Sequence, residues 1–264
     1  MFGDNLSFIS DTTIVATRTQ GCRMSDKFRA NFRIVLPAAL LVLAAYAVLG
    51  SEYAVPVQSA DFSWWRVLPY LVVLVSAIAG VNVVLVLILG IQCTGIVALA
   101  SDDLGLLDWA DAMGKGITGM GELIIVTLLA GGMLELIRYN GGLNYVVHHL
   151  TKHVHSRRGG ELCIALMAAF ANLCTANNTV AILSVGRIAA HLASRFGIPA
   201  PRSASLLDTF SCVVQGMLPY GAQLLMGAAL AGITSASIIP YLYYPMAVGA
   251  AALLFIAFSR HRNA

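Results

Sequence analysis

Long uncharged stretches alternate with short polar segments along the chain. The uncharged stretches are 34–51, 67–101, 162–186 and 209–259. A helix needs about 20 apolar residues to cross a hydrocarbon core roughly 30 Å thick, so stretches of this kind predict helices that enter a membrane. Lipid offers backbone groups no hydrogen-bonding partner, which makes helices the expected form of these segments. We therefore predict an all-α polytopic membrane protein.

The stretch 67–101 is too long for a single crossing. Its 35 residues would form a helix about 52 Å long at about 1.5 Å per residue. Gly80, Val81 and Asn82 offer a turn, so we expect one helix over about 67–79 and another over about 82–100.

Basic residues set the expected orientation in a bacterial-type inner membrane. A cytoplasmic segment is predicted by Arg18, Arg23, Lys27, Arg29 and Arg33. A helix over about 34–51 should then lead outward, and the acidic loops 52–66 and 102–115 should lie outside. A helix over about 119–138 should return to a basic, histidine-rich loop in the cytoplasm, where the basic C-terminus is also expected.

Three regions are expected along the chain, and their division between two repeats is what the resemblance of its motifs to a known family implies. Residues 1–33 hold the end of a first repeat, with a broken core helix and a cytoplasmic basic loop. Residues 34–118 supply scaffold helices and their connecting loops. Residues 119–264 form the core of a second, inverted-topology repeat, with a helix, a re-entrant hairpin, a broken helix and a final helix.

Carboxylate, amide and hydroxyl side chains are dense near the N-terminus. They belong to Asp4, Asn5, Ser7, Ser10, Asp11, Thr12 and Thr13. Polar groups of this kind are costly in lipid, so they favour an ion site. The alternative is an exposed tail in which Ser10 or Asp11 caps a helix.

A second polar cluster interrupts the uncharged stretch 162–186. Thr175, Asn177, Asn178 and Thr179 lie near its middle. Irregular backbone at membrane depth is tolerated only where it is buried or lines a cavity, which favours a re-entrant hairpin with a function. Amide and hydroxyl oxygens are hard ligands suited to sodium, and a helix N-terminus near Thr179 suits an anionic group. Ordinary helix capping is the alternative.

A third cluster comprises Asp208, Ser211 and Gln215, ahead of a break near Pro219. Asp208 is the only charged residue in a long apolar segment, and an isolated intramembrane carboxylate is a functional candidate. An interfacial Asp208 that pairs with Arg202 is the alternative.

The first and third clusters have the same spacing. Both follow the pattern i, i+3, i+7, in Asp4, Ser7 and Asp11 and in Asp208, Ser211 and Gln215. That spacing predicts one helical face for each set. With opposite orientations in the membrane, two such faces are expected of inverted repeats that meet around a midplane site.

Composition narrows the classes of function. Of 264 residues, 58% are apolar and 11% are charged, so lipid and not nucleic acid is the expected partner. Five cysteines without a CxxC pair indicate neither a disulfide framework nor a zinc site. An intramembrane hydrolase would need a motif such as GxSxG or HExxH, and neither occurs, so we do not expect an enzyme.

The segment Gly3–Thr13 resembles the GDxxSxxSDTT signature of NhaC-type Na⁺/H⁺ antiporters, within the ion-transporter superfamily. The stretches 175–179 and 205–209 are similar to second-half motifs of the same family. Members are typically far longer, so the resemblance is to the C-terminal part only and implies a truncated reading frame. The 17 residues from Met1 to Thr17 would give about 26 Å of helix, which is short for a crossing.

The resemblance implies secondary active exchange of Na⁺ for H⁺ by alternating access, without a cofactor. The expected binding residues are Asp4, Asn5, Ser7, Ser10, Asp11, Thr12, Thr13, Thr175, Asn177, Asn178, Thr179, Asp208, Ser211 and Gln215. Sodium itself is expected at Asp11, Thr12, Asn177, Asn178 and Thr179. Some relatives are similar to malate/lactate exchangers, so a Na⁺- or H⁺-coupled organic-anion exchanger is one alternative. A truncated, non-transporting fragment is another, and a homodimer is left open.

Overall fold

A computed structural model describes residues 2–6, 10–51, 64–79, 81–101, 105–152 and 154–258. These residues form helices joined by short turns, with no β-strand among them. The expectation of an all-helical fold is therefore confirmed for this part of the chain.

Fourteen α-helices occur in the described residues. They are α1 (Phe2–Leu6), α2 (Asp11–Gln20), α3 (Met24–Gly50), α4 (Leu68–Ile78), α5 (Val83–Ala100), α6 (Leu106–Gly119), α7 (Gly121–Tyr139), α8 (Gly142–Lys152), α9 (Arg157–Thr175), α10 (Asn178–Arg195), α11 (Ala200–Gln215), α12 (Ala222–Ala231), α13 (Ser235–Ile238) and α14 (Tyr243–Phe258). Two 3₁₀ helices, Trp64–Arg66 and Ile239–Tyr241, precede α4 and α14.

Several boundaries predicted from the sequence are confirmed. The stretch 67–101 divides into α4 and α5, which pack against each other. The helix expected over about 119–138 is α7, and the breaks expected near Asn177 and Pro219 separate α9 from α10 and α11 from α12.

Three other boundaries differ from the prediction. The helix expected to begin near residue 34 begins at Met24, because Lys27 and Asn31 are buried on the inner face of α3 instead of lying in an exposed loop. The expected outer loop 102–115 contains the start of α6, where the Asp108 side chain accepts a hydrogen bond from the Gly105 N–H at 3.0 Å. The single final helix expected over about 237–258 is instead divided into α13, a 3₁₀ turn and α14.

The histidine-rich loop also contains a helix, α8. Its inner side carries Val147, which is buried, and Leu150, which packs against the main core. His148 and His149 lie on the exposed side. The apolar residues at helical spacing therefore predict the structure of this segment better than its many polar residues, which suggested a loop.

The chain divides into two compact units. One, here called the core unit, comprises the described residues within 1–52 and 122–264, and the other comprises those within 53–121. In the second unit, α4 and α5 form an apolar hairpin, and both contact the preceding 3₁₀ helix Trp64–Arg66.

One described helix, α3, is long and apolar enough to cross a membrane. A second span results if α12 and the segment Ser235–Tyr241, which are bent by 98° at their break, are counted together. Shorter apolar helices run over Trp64–Ser76, Val84–Ala100 and Tyr243–Phe258. Many large apolar side chains face outward, among them Leu41 and Leu43 of α3, and a surface of this kind suits contact with lipid.

Helix packing in the core unit centres on α9, α10, α11 and α2. α9 packs against α10 and α11, and α2 packs against the same two helices. Ile164, Ile182 and Leu206 have no exposed surface. Small residues let such helices approach closely, and Gly186 of α10 lies directly against Thr19 of α2.

A buried ion pair fixes α9 to α11. The Arg202 Nη2 lies 2.9 Å from the Glu161 Oε2, and both side chains are at least nine-tenths buried. The Arg202 guanidinium also lies 4.5 Å from the centroid of the Phe255 ring, which brings α14 to the same point.

Substitution of Gly186 with alanine should destabilise the contact between α2 and α10. The added Cβ would lie 2.8 Å from the Thr19 Cβ, and overpacking of this kind costs about 1–3 kcal/mol. Thermal unfolding in detergent should show a lower midpoint. Gly131→Ala in α7 is the matched control, because its Cβ would meet no atom within 4 Å; equal midpoints for the two variants would contradict the close packing.

Glu161→Gln should be strongly destabilising. The change leaves the buried Arg202 guanidinium without its counter-charge, and loss of one partner from a buried pair costs about 3–5 kcal/mol. Denaturant-induced unfolding would measure the change. Asp26→Asn, which removes the partner of the exposed Arg23, should leave the midpoint unchanged, and a similar loss in both variants would argue against a special contribution from the buried pair.

Candidate functional site

Three breaks between helices of the core unit meet at one cavity of about 190 Å³. The breaks separate α1 from α2, α9 from α10, and α11 from α12. The cavity is lined by Asp4, Asp11, Thr12, Ala176, Asn177, Asn178, Thr179, Gln215, Ala222 and Gln223. Side chains distant in the sequence therefore share one polar space.

Asp11 begins α2 and connects it to α10. Its Oδ1 accepts the Thr12 backbone N–H at 2.9 Å, and its Oδ2 accepts the Thr179 hydroxyl at 2.5 Å. The residue before it, Ser10, has extended backbone, and its hydroxyl donates to the Asp4 Oδ1 at 3.2 Å. One chain of hydrogen bonds thus runs from α1 through α2 to α10.

The α9–α10 break is a two-residue junction. Ala176 has a φ of +48°, in the left-handed region that an L-residue rarely adopts. Asn177 then caps α10, because its side-chain oxygen accepts the Val180 N–H at 3.0 Å. The Thr175 hydroxyl donates to the Asn177 carbonyl at 3.0 Å, which closes the turn.

Asn172 holds this junction against α11. Its Nδ2 donates to the Asn178 Oδ1 at 3.1 Å and to the Ser211 carbonyl at 2.6 Å. Tyr220, in the α11–α12 break, donates its hydroxyl to the Leu173 carbonyl at 2.7 Å. The Tyr220 bond satisfies a carbonyl in the last turn of α9 that the end of the helix would otherwise leave without a partner.

The α11–α12 break contributes amides to the cavity. The Gln215 Nε2 donates to the Gln223 Oε1 at 3.1 Å. The Gln215 Oε1 is buried and has no hydrogen-bonding partner among the described residues. A buried carbonyl oxygen at the edge of a polar cavity is a ready acceptor for a cation, a proton donor or water.

The electrostatic character of the cavity is negative. Two carboxylates line it, and none of its lining residues is basic. Neutral oxygens come from Thr12, Thr179 and the neighbouring amides. This arrangement favours a cation over an anion, because a cation is attracted by the carboxylates and ligated by hard oxygen atoms.

In the structure, the residues predicted to bind the transported ions lie in several places. The cavity contains Asp4, Asp11, Thr12, Asn177, Asn178, Thr179 and Gln215, including all five residues to which the sequence assigns sodium. Ser10 and Thr175 lie beside it through the bonds described above. A separate buried group contains Asn5, Thr13, Asp208 and Ser211, and Ser7 lies outside the described residues.

Asp208 belongs to a buried cluster that sequence reasoning missed. Its Oδ2 lies 2.7 Å from the Lys27 Nζ and accepts the Asn31 Nδ2 at 2.8 Å. Pairing of Asp208 with Arg202, the alternative from the sequence, is wrong, because Arg202 pairs with Glu161.

A signal for this cluster is present in the sequence. Lys27 and Asn31 continue, at helical spacing, the buried stripe of Ile34, Ala38 and Val42 along α3. Their polarity suggested an exposed loop, whereas their spacing places them on the inner face.

The expectation of two matching helical faces is wrong for the first cluster. Asp4 lies in α1 and Asp11 begins α2, with the non-helical Ser10 between them. Asp208, Ser211 and Gln215 do share one buried face of the continuous helix α11. Asp4 and Asp11 line the same cavity although they belong to two different helices, and not because they lie on one helical face.

Comparison with known proteins finds similarity to antiporters. The family model described as "Na+/H+ antiporter family" matches residues 57–260. The chain is 23% identical over 281 aligned positions to the Na(+)/H(+) antiporter NhaC of Bacillus subtilis (strain 168), with 92% of this chain and 61% of that protein covered. It is 22% identical over 281 positions to the arginine/ornithine antiporter ArcD of Halobacterium salinarum, with 91% and 57% covered. No solved structure gives a significant match.

The chain therefore spans about three fifths of the length of these two relatives. Both relatives are described as antiporters. Two of the three helix breaks at the cavity, those near Asn177 and Gly221, lie within the matched region. Because the family model matches more than half of the chain, the protein belongs to the Na⁺/H⁺ antiporter family.

Proposed function

We propose that this protein exchanges Na⁺ for H⁺ across a membrane by alternating access. The two ions compete for the carboxylates of Asp11 and Asp4 in the cavity. The observation that carries the proposal is the lining itself, with two carboxylates, neutral oxygens and no basic residue at the meeting point of three broken helices. Discontinuous helices of this kind form the ion sites of many secondary transporters.

Sodium has a suitable ligand set in this cavity. Asp11 supplies the charge, Thr12 and Thr179 supply hydroxyls, and Asn177 and Asn178 supply amide oxygens. A cation at this position replaces its hydration shell with oxygen atoms from α2 and α10. Both helices therefore contribute directly to ion binding.

Thr179 supports both forms of Asp11. Its hydroxyl donates to the ionised carboxylate, and a hydroxyl that rotates can instead accept a hydrogen bond from the protonated acid. The site thus keeps a hydrogen bond when a proton takes the place of sodium. This property suits an exchanger whose binding site must alternate between the two sides of the membrane with either ion bound.

An organic-anion exchanger is less well supported. None of the cavity-lining residues is an arginine, lysine or histidine that would neutralise a substrate carboxylate, and two carboxylates would repel one.

An organic cation is the second candidate substrate. The relative from Halobacterium salinarum is described as an arginine/ornithine antiporter, and those substrates carry cationic side chains. The same two carboxylates would attract such a group. Flux assays with arginine or ornithine in place of sodium distinguish the two substrate classes.

We further propose a multi-pass arrangement in an inner membrane with the C-terminus in the cytoplasm. The terminal basic residues that support this orientation lie outside the described part of the chain. The α9–α10 hairpin would be re-entrant, with its junction at the cavity, and would belong to one of two inverted repeats. The tight turn at Ala176 and Asn177 and its polar surroundings support the re-entrant arrangement.

Asp11→Asn should abolish sodium-dependent proton movement. The amide cannot carry the charge that binds Na⁺ or take up the exchanged proton, although its size is nearly unchanged. The assay is recovery of a pH-sensitive dye in everted membrane vesicles after addition of NaCl. Asp26→Asn, at an exposed pair, should retain the response, and an undiminished response in Asp11→Asn vesicles would remove Asp11 from the mechanism.

Thr179→Val should weaken sodium binding without preventing folding. The change removes the hydroxyl that contacts Asp11, and a hydrogen bond to a charged group contributes about 1.5–3 kcal/mol. We expect the half-saturating sodium concentration to rise about tenfold or more, since about 1.4 kcal/mol corresponds to a factor of ten. Thr179→Ser should restore most of the affinity, and equal values for the valine and serine variants would contradict a contribution from the hydroxyl.

A further inference from the structure

We propose that the Asp208 cluster is a second cation-binding cage, which the protein fills permanently with the ammonium group of its own Lys27. The cage stands on its geometry alone. Only its consequence for the number of transported ions depends on the exchange proposed above.

The ammonium group is surrounded by oxygen atoms from three elements. The Lys27 Nζ lies 2.7 Å from the Asp208 Oδ2, 2.7 Å from the Thr13 Oγ1 and 3.4 Å from the Asn5 carbonyl oxygen. The side chains of Lys27 and Asp208 are 1% and 0% exposed. A carboxylate, a hydroxyl and a backbone carbonyl form the ligand set that a free cation would use in a protein interior.

Further oxygen atoms remain uncommitted in the same cluster. The Asp208 Oδ1, the Asn31 Oδ1 and the Asn5 Oδ1 are buried and have no hydrogen-bonding partner among the described residues. The Asn31 Nδ2 donates to both the Asn5 carbonyl, at 2.9 Å, and the Asp208 Oδ2, which keeps α1, α3 and α11 together. The cage therefore has more acceptors than one tethered ammonium engages.

At two points in the sequence, a residue of the cage directly follows a residue that lines the cavity. Asn5 and Thr13 directly follow Asp4 and Thr12, which line the cavity, and the Thr13 hydroxyl donates to the Asp4 carbonyl at 3.2 Å. A fixed positive charge here neutralises Asp208, whereas Asp11 is held by the Thr12 backbone N–H and the Thr179 hydroxyl and not by a cationic side chain. The expected consequence is that sodium binds in the cavity and not at Asp208.

Lys27→Ala tests whether the cage binds a free cation. The change removes the atoms of n-propylammonium, so this ion is the probe. In purified protein at neutral pH, n-propylammonium chloride should produce a saturable rise in the melting temperature, relative to choline chloride at equal ionic strength. The wild type, whose cage is filled, should not show this rise in melting temperature. The double variant Lys27→Ala/Asp208→Asn should also lack it, because it has no carboxylate in the cage.

The double variant also provides a test if Lys27→Ala alone does not fold. It removes both buried charges together, which avoids the large cost of an unpaired one. Any sodium-dependent rise in the melting temperature of the wild type should persist in this variant, because sodium does not use Asp208. Loss of that response would overturn the proposal, as would an equal response of the single and double variants to n-propylammonium.

The outcomes separate this proposal from the proposed exchange. If the wild type shows no response to sodium while Lys27→Ala responds to n-propylammonium, the exchange proposal fails and the cage stands. If sodium stabilises the wild type through Asp11 but Lys27→Ala gives no n-propylammonium response, the cage proposal fails and the exchange stands.

Discussion

Backbone groups at an interrupted helix need hydrogen-bonding partners that the helix itself does not supply. In the core unit this constraint applies at three places that face one cavity, and amide and hydroxyl side chains satisfy it. Asn177 accepts the Val180 N–H and Tyr220 donates to the Leu173 carbonyl, two groups that the adjoining helix ends leave open. Asn177, which caps α10, also lines the cavity, so one side chain both completes a helix end and makes the cavity polar.

The carboxylates of the core unit have two different kinds of partner. Glu161 and Asp208 are each paired with a buried base, Arg202 and Lys27 respectively, and these pairs hold helices together. Asp11 instead has hydrogen bonds from a hydroxyl and a backbone N–H within the cavity. A carboxylate held by neutral donors keeps its negative charge for a mobile ion, whereas one held by a base does not. The difference separates the carboxylate of the proposed ion site from the carboxylates that hold helices together.

Much of this arrangement can be predicted from the sequence, and the rest depends on long-range packing. The breaks near Asn177 and Pro219 are visible because polar residues, proline and glycine interrupt apolar stretches. The inward position of Lys27 was missed because charge was given more weight than helical spacing, although the stripe through Ile34 and Ala38 was available. The meeting of Asp4 with Gln223 could not be predicted, since no local pattern links positions more than two hundred residues apart.

The left-handed backbone at Ala176 has a further consequence for how such a protein moves. Glycine is the residue that adopts this conformation most easily, and alanine there costs about 1–2 kcal/mol. Alanine also restricts the neighbouring conformations that glycine would allow. The tip of the α9–α10 hairpin is therefore the stiffer of these two junctions, and any bending in the proposed exchange would fall at the α11–α12 break, where Gly216 and Gly221 flank the irregular backbone.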